Sequence, residues 1–153
     1  MIEKTKIISK LMTGEEYIRS LQERKPMNVY LNGEKIDDLL NHPIIRMSVN
    51  SVAATYDLVH EPEYTDMVTA KSSLTGNRIN RFCHLHQSTE DLVNKVKMQR
   101  ILGQKTGTCF QRCVGMDAFN AVFITTFEID KKHHTTYHNR FKDYMLKVEE
   151  NDW

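Results

Sequence analysis

A chain of 153 residues suffices for one domain with a real core and hardly for two. Its 21 Lys and Arg balance 20 Asp and Glu to a net charge of +1, which excludes the basic footprint of a nucleic-acid or anionic-membrane binder. No apolar run approaches the roughly 18 residues of a membrane span, the start "MIEKTKIISKLMTGEE" lacks a secretory pattern, and three cysteines without an export signal point to a reducing cytoplasm.

Thr13-Gly14-Glu15-Glu16 predicts a capping box, in which the Thr13 hydroxyl accepts from the Glu16 amide while the Glu16 carboxylate reaches back. Tyr17, Ile18 and Leu21 follow on one face of that helix and Pro26 ends it. In "NVYLNGEKI" the Asn32-Gly33 pair tolerates the positive φ angles of a tight turn, so Val29–Leu31 and Glu34–Ile36 read as a hairpin. Pro43 opens a longer helix with an apolar stripe of Ile45, Val49, Val52, Tyr56 and Val59. "PEYTDMVT" reads as a brief helical turn, and "AKSSLTGNRINRFCHLHQ" stays ambiguous between extended chain and loop.

Ser88 to Asp91 caps the next helix, with Leu92, Val93, Val96 and Ile101 expected inward and Gly103 expected to end it. From Cys113 to about Lys131 the apolar residues crowd so densely that the helix is expected to be the most buried element. A last helix, about Thr135 to Glu150, gathers Tyr137, Phe141, Tyr144 and Val148. It runs uncapped to "VEENDW", the pattern expected where a longer chain would continue. The whole reads as a mainly α domain over residues 1–153 with a short β-hairpin.

The segment "GTCFQRCVG" holds two of the three cysteines. If Cys109 opens the helix that contains Cys113, their i, i+4 spacing sets both sulfurs on one face, a poor geometry for a disulfide. Soft thiolates so placed suit zinc or an iron–sulfur cluster, while a buried CxxxC pair also arises as simple packing. The three-cysteine pattern CxxxCxxC fails because Met116 occupies its third place. Cys83, His84 and His86 of "CHLH" could join a zinc site only through an unusual turn, and His133 and His134 read as solvated residues at a helix end. "GQKTGTC" is a glycine-bracketed loop with a lysine, able to approach a ligand and equally a plain connector. The common glycine-rich phosphate cradles and the GxSxG elbow are absent.

"LMTGEEYIRSL", "VYLNGEKI", "HPIIR", "LTGNRINRF", "HQSTEDLVNKVKMQRILGQKTGTCFQRCVGMDAFNA" and "HNRFKDYMLKVEENDW" together resemble the N-terminal region of the 4-hydroxybutyryl-CoA dehydratases (vinylacetyl-CoA Δ-isomerases), part of the flavoprotein family that includes the 4-hydroxyphenylacetate 3-monooxygenases. The resemblance implies an acyl-CoA dehydrogenase-like fold with later domains beyond this stretch, assembled as a homo-oligomer. It implies FAD and a [4Fe–4S] cluster, with radical dehydration of an acyl-CoA to crotonyl-CoA. It sets Cys109 and Cys113 where two cluster ligands stand and Gln111 where a residue lines the substrate pocket. The family's other ligands, its catalytic tyrosine and glutamate and most flavin contacts fall beyond Trp153. Neither Cys83 nor His133, His134 or His138 matches the remaining ligand positions. The chain alone is therefore expected to be inert and to hold neither cofactor, with partners in the remaining domains or a second subunit. A related flavin-dependent aromatic hydroxylase domain and a non-catalytic helical assembly module are the alternatives.

Overall fold

The computed structural model describes residues 10–24 and 28–153. Helix α1 (Gly14–Glu23) starts as its capping box predicts, with the Glu16 amide 3.2 Å from Thr13 Oγ1 and the Thr13 amide 2.9 Å from Glu16 Oε2. Pro26, the expected stop, lies outside the described residues. Gly14 lets α1 close onto the next helix: its amide donates to Asp57 Oδ1 at 2.7 Å, and a Cβ there would fall 2.5 Å from Asp57 Oδ2. Strands β1 (Val29–Leu31) and β2 (Glu34–Ile36) pair antiparallel around Asn32 and Gly33, both at positive φ, as the Asn-Gly turn requires.

Helix α2 (Ile45–Asp57) buries Ser51, Ala53, Thr55 and Tyr56, whereas Ile45, Val49 and Val52 of the expected stripe are half-buried. The inward face therefore carries hydroxyls as well as apolar groups. Ser51 and Thr55 enter it because their hydroxyls donate to the Met47 and Val52 carbonyls. A 3₁₀ turn (Leu58–His60) and the short α3 (Thr65–Val68) lead into a second antiparallel hairpin, β3 (Thr69–Lys71) with β4 (Arg78–Asn80). The segment left ambiguous by its sequence is thus a hairpin followed by a 3₁₀ turn (Arg81–Cys83), and residues 79–85 are all buried.

Helix α4 (Thr89–Thr106) carries the Ser88 capping box, closed by Asp91. Two expectations for it are corrected. Gly103 lies within the helix, which ends at Gly107, where φ of 63° gives the left-handed C-cap. Leu92, Val93 and Val96 are exposed; Met98 and Leu102 face the core instead, with Ile101 packed beside them, because the apolar residues of α4 occupy two faces and only one is covered.

Helix α5 (Arg112–His133) is not the most buried element. Met116 alone is buried in it, while Val114, Val122, Ile124, Phe127 and Ile129 are exposed. The helix packs on α6 and the Arg81–Cys83 turn along one side, and no described residue covers the other. Helix α6 (Tyr137–Asn151) buries His138, Met145, Val148 and Glu149, and of the four residues that the sequence gathers, Tyr137 and Tyr144 are exposed while Val148 is buried. Nor is α6 uncapped: Asp152 turns left-handed at φ 52° and its amide donates to the Val148 carbonyl.

The core divides into two clusters. One joins Leu58, Val68, Phe82, Met98, Leu102, Phe110 and Met116; the other joins Ile79, Cys83, Leu85, Met145 and Val148. The segment from Asn80 to Leu85 runs through both.

Candidate functional site at the start of helix α5

Between α4 and α5 the backbone turns sharply. Phe110 is buried and meets Phe82 edge-on at 5.7 Å, which pins one side of the turn. The Arg112 amide donates to the Phe110 carbonyl at 2.7 Å, closing a three-residue turn over Gln111. Gln111 sits at φ 61°, ψ −26°, a strained conformation for a residue with a Cβ, and such strain persists only where surrounding structure imposes it.

Because α5 begins at Arg112, Cys109 lies outside the helix and the i, i+4 argument for the two sulfurs does not apply. Cys109 is exposed, and Cys113, in the first turn, is half-buried against the Met116–Phe82 cluster; both are free thiols. Gln111 lines, with Tyr56, Phe82, Phe110, Phe119 and Trp153, a concave surface of about 310 Å³. Gly115 borders it too, and a Cβ there would meet open space, so backbone is approachable from outside. The two cysteines are not among the residues lining it.

Cys109 and Cys113 have the donor chemistry of an iron–sulfur or zinc site, soft sulfur that is exposed at Cys109 and half-buried in the first helical turn at Cys113. Among the described residues no third His, Cys, Asp or Glu joins them in a metal-binding group. Two thiols are fewer than the four protein ligands that a structural zinc site or a cubane cluster takes. Cys83 is sealed in the second core cluster, its sulfur 3.5 Å from the Trp153 carbonyl, and burial pushes its thiol far above the ordinary range.

The other sequence candidates have structural occupations. The extended His84–His86 segment is clamped by Asn120 of α5, which accepts from the His86 amide at 2.7 Å and donates to the His84 carbonyl at 3.2 Å. His84 is 3% exposed; its Nε2 lies 3.1 Å from Asp91 Oδ1 but outside hydrogen-bond geometry, so both ring nitrogens are unsatisfied. His133 and His134 are exposed at the end of α5, while His138 is buried between Phe123 and Phe127. Lys105 is bound to Glu61 at 2.7 Å and lies over Tyr64, and with Met47, Ser51 and Gly107 it lines a groove of about 730 Å³.

Residues 13–153 match the family model described as 4-hydroxyphenylacetate 3-hydroxylase N terminal. The chain is 59% identical over 142 residues to the 4-hydroxybutyryl-CoA dehydratase/vinylacetyl-CoA-Δ-isomerase of Clostridium aminobutyricum, covering 93% of this chain and 29% of that protein. It is 39% identical over 80 residues to the oxygenase component of 4-hydroxyphenylacetate 3-monooxygenase from Thermus thermophilus, covering 52% of this chain and 16% of that one. An oxygen-tolerant archaeal 4-hydroxybutyryl-CoA dehydratase from N. maritimus superposes with a TM-score of 0.85 at 52% identity, over 92% of this chain and 27% of the other. A 4-hydroxyphenylacetate 3-monooxygenase oxygenase component, at 23% identity and a TM-score of 0.66, shares the acyl-CoA dehydrogenase-like fold. The chain thus spans less than a third of the length of these relatives, and the stretch containing Cys109 and Cys113 falls within the matched family region. By sequence and by fold, the chain belongs to the 4-hydroxyphenylacetate 3-hydroxylase N-terminal family.

Proposed function

We propose that this chain is the N-terminal helical part of a flavin- and iron–sulfur-dependent 4-hydroxybutyryl-CoA dehydratase with vinylacetyl-CoA isomerase activity. The observation that carries this reading is the Gln111 turn: a strained backbone pinned beside two free thiols, one exposed and one half-buried, on the edge of a concave surface. Strain held in place beside reactive groups is a feature of working sites.

In this reading Cys109 and Cys113 would be two of the ligands of a [4Fe–4S] cluster, as thiolates. Gln111 offers its amide, both donor and acceptor, to the bound acyl-CoA. The cluster and FAD, when bound, supply a Lewis-acidic iron and one-electron chemistry. The chain's own contribution is placement. Phe110, buried on one side of the turn, keeps the loop from collapsing onto the cleft, and Gly115 lets the cleft wall approach its contents. The remaining ligands, the proton-transfer groups and most flavin contacts come from the rest of the enzyme, whether on the same polypeptide or another. That region covers the exposed apolar residues of α5, among them Val114, Val122, Ile124 and Phe127. The complete assembly is a homo-oligomer working in the cytoplasm, where the thiols stay reduced. No helix among the described residues is long and apolar enough to cross a membrane.

A chimera tests this. Residues 13–153 replace the matched region of the Clostridium aminobutyricum enzyme, and crotonyl-CoA formation from 4-hydroxybutyryl-CoA is measured. The chimera is expected to be active and the 153-residue chain alone inert. Gln111→Ala is expected to lower the activity of the chimera about a hundredfold. A folded, flavin-loaded chimera without activity, or one indifferent to Gln111→Ala, contradicts the reading.

A further inference from the structure

Arg112 stands between Gln111 and Cys113, and nothing above uses its side chain. That side chain is 10% exposed. Its guanidinium lies 4.1 Å from the ring centre of Tyr56 and 4.9 Å from that of Phe82. Nη1 donates to Thr55 Oγ1 at 3.1 Å, while Nη2 donates to Asp152 Oδ1 at 3.1 Å and to the Trp153 carbonyl at 3.2 Å. Asp152, only 1% exposed, accepts from the Met12 amide at 3.0 Å through its other oxygen. One planar group thereby joins α2, the Arg81–Cys83 turn, the end of α6 and, through Asp152, the segment before α1.

The position of this hub in the chain matters more than its strength, since a buried ion pair is weak evidence for stability. Arg112 is the first residue of α5, whose N-cap Gln111 makes no side-chain capping bond. The first turn of a helix without a cap is free to fray. Cys113 lies in that turn. Phe110 pins the strained turn from one side, and Arg112 is what pins it from the other.

We propose that Arg112 is the positioning residue of this loop: its stacked, forked side chain holds the strained Gln111 turn and so fixes where the Cys109 and Cys113 thiols stand relative to one another. That this placement serves a cluster rests on the function proposed above; the placement itself does not. Lysine would keep the charge but neither the stacking nor the simultaneous bonds to Thr55, Asp152 and Trp153.

The test is peptide-resolved pulse labelling of the cysteines with N-ethylmaleimide, on the full 153-residue chain under native conditions. Wild type is compared with Arg112→Met, Arg112→Lys and Met145→Ala. The last is a destabilised control in the second core cluster, away from the loop. Wild type is expected to label Cys109 faster than Cys113. Arg112→Met is expected to speed Cys113 about tenfold or more while Cys83 stays protected, the signature of local opening. Arg112→Lys is expected to behave like the methionine variant, and it carries the test alone if Arg112→Met does not fold. Met145→Ala is expected to keep the wild-type ratio of Cys113 to Cys109. The proposal is overturned by equal wild-type rates at the two cysteines, by an unchanged Cys113 rate in the Arg112 variants, by Cys113 and Cys83 opening together, or by rescue with lysine. Labelling of the bare chain needs no cofactor, so its failure and the failure of the chimera are read independently.

Discussion

At position 84 an imidazole is sealed among groups that do not satisfy it. Burial holds His84 below its ordinary value of 6.5, against the pull of Asp91 and aided by Arg81. His86, 6.0 Å away ring to ring, is lowered too, by burial and then by His84 and Lys95, with Asp91 and Asp117 opposing. Both are therefore neutral in the fold, and the unfolded chain takes up protons that the folded chain refuses. Stability is expected to be full above about pH 6.5 and to fall as pH drops below it. Asp91 works in a separate window. Partial burial raises it, but the Gln87 amide, His84 and Ser88 outweigh burial and hold it well below its ordinary 3.8, so its contribution is lost only in strongly acid solution. Urea midpoints at pH 7.5 and 5.5 check this: the midpoint is expected to drop on acidification, and less so in His84→Gln. A midpoint that rises or stays level contradicts it. None of this was legible in "CHLH", because His84 is buried by Asn120 and α4, which lie elsewhere in the sequence.

Among the elements, what local chemistry dictates was legible and what packing dictates was not. Thr13 with Glu16, Ser88 with Asp91 and Asn32-Gly33 each contain their own hydrogen-bond or φ requirement, and each formed as read. Gly103 misled because glycine is merely tolerated in a helix interior, whereas Gly107 is at the left-handed turn that needs it. Helix α5 misled more. Apolar density says that a face is to be covered, not that this domain covers it. Met116, fully buried, and Val114, 64% exposed, lie in the same first turns of α5. Met116→Ala is expected to cost about 2–5 kcal/mol in chemical denaturation, and Val114→Ala to stay within about 0.5 kcal/mol. Comparable losses at both positions would mean that α5 is covered on both sides in the chain as it stands. The candidate site divides in the same way. The residues of "GTCFQRCVG" were visible as chemistry, but the spacing argument assumed a helix from Cys109, and the strained turn at Gln111 that displaces it needed coordinates.

At the scale of the whole molecule, two core clusters share the Asn80–Leu85 segment, and the Arg112–Asp152 pair ties the start of α5 to the turn that ends α6. What remains uncovered is the outer side of α5, in a chain that matches 27% of a solved dehydratase at a TM-score of 0.85. The proposed function requires that this domain bring two ligands, Cys109 and Cys113, to a cluster completed from outside it. The most direct measurement is iron and acid-labile sulfide in the anaerobically purified chimera carrying residues 13–153, with and without Cys109→Ser and Cys113→Ser. About four irons per chain are expected in the parent, and loss of the cluster's absorbance and iron in each serine variant, with the fold retained by circular dichroism. Full iron and sulfide in the double serine variant would contradict it.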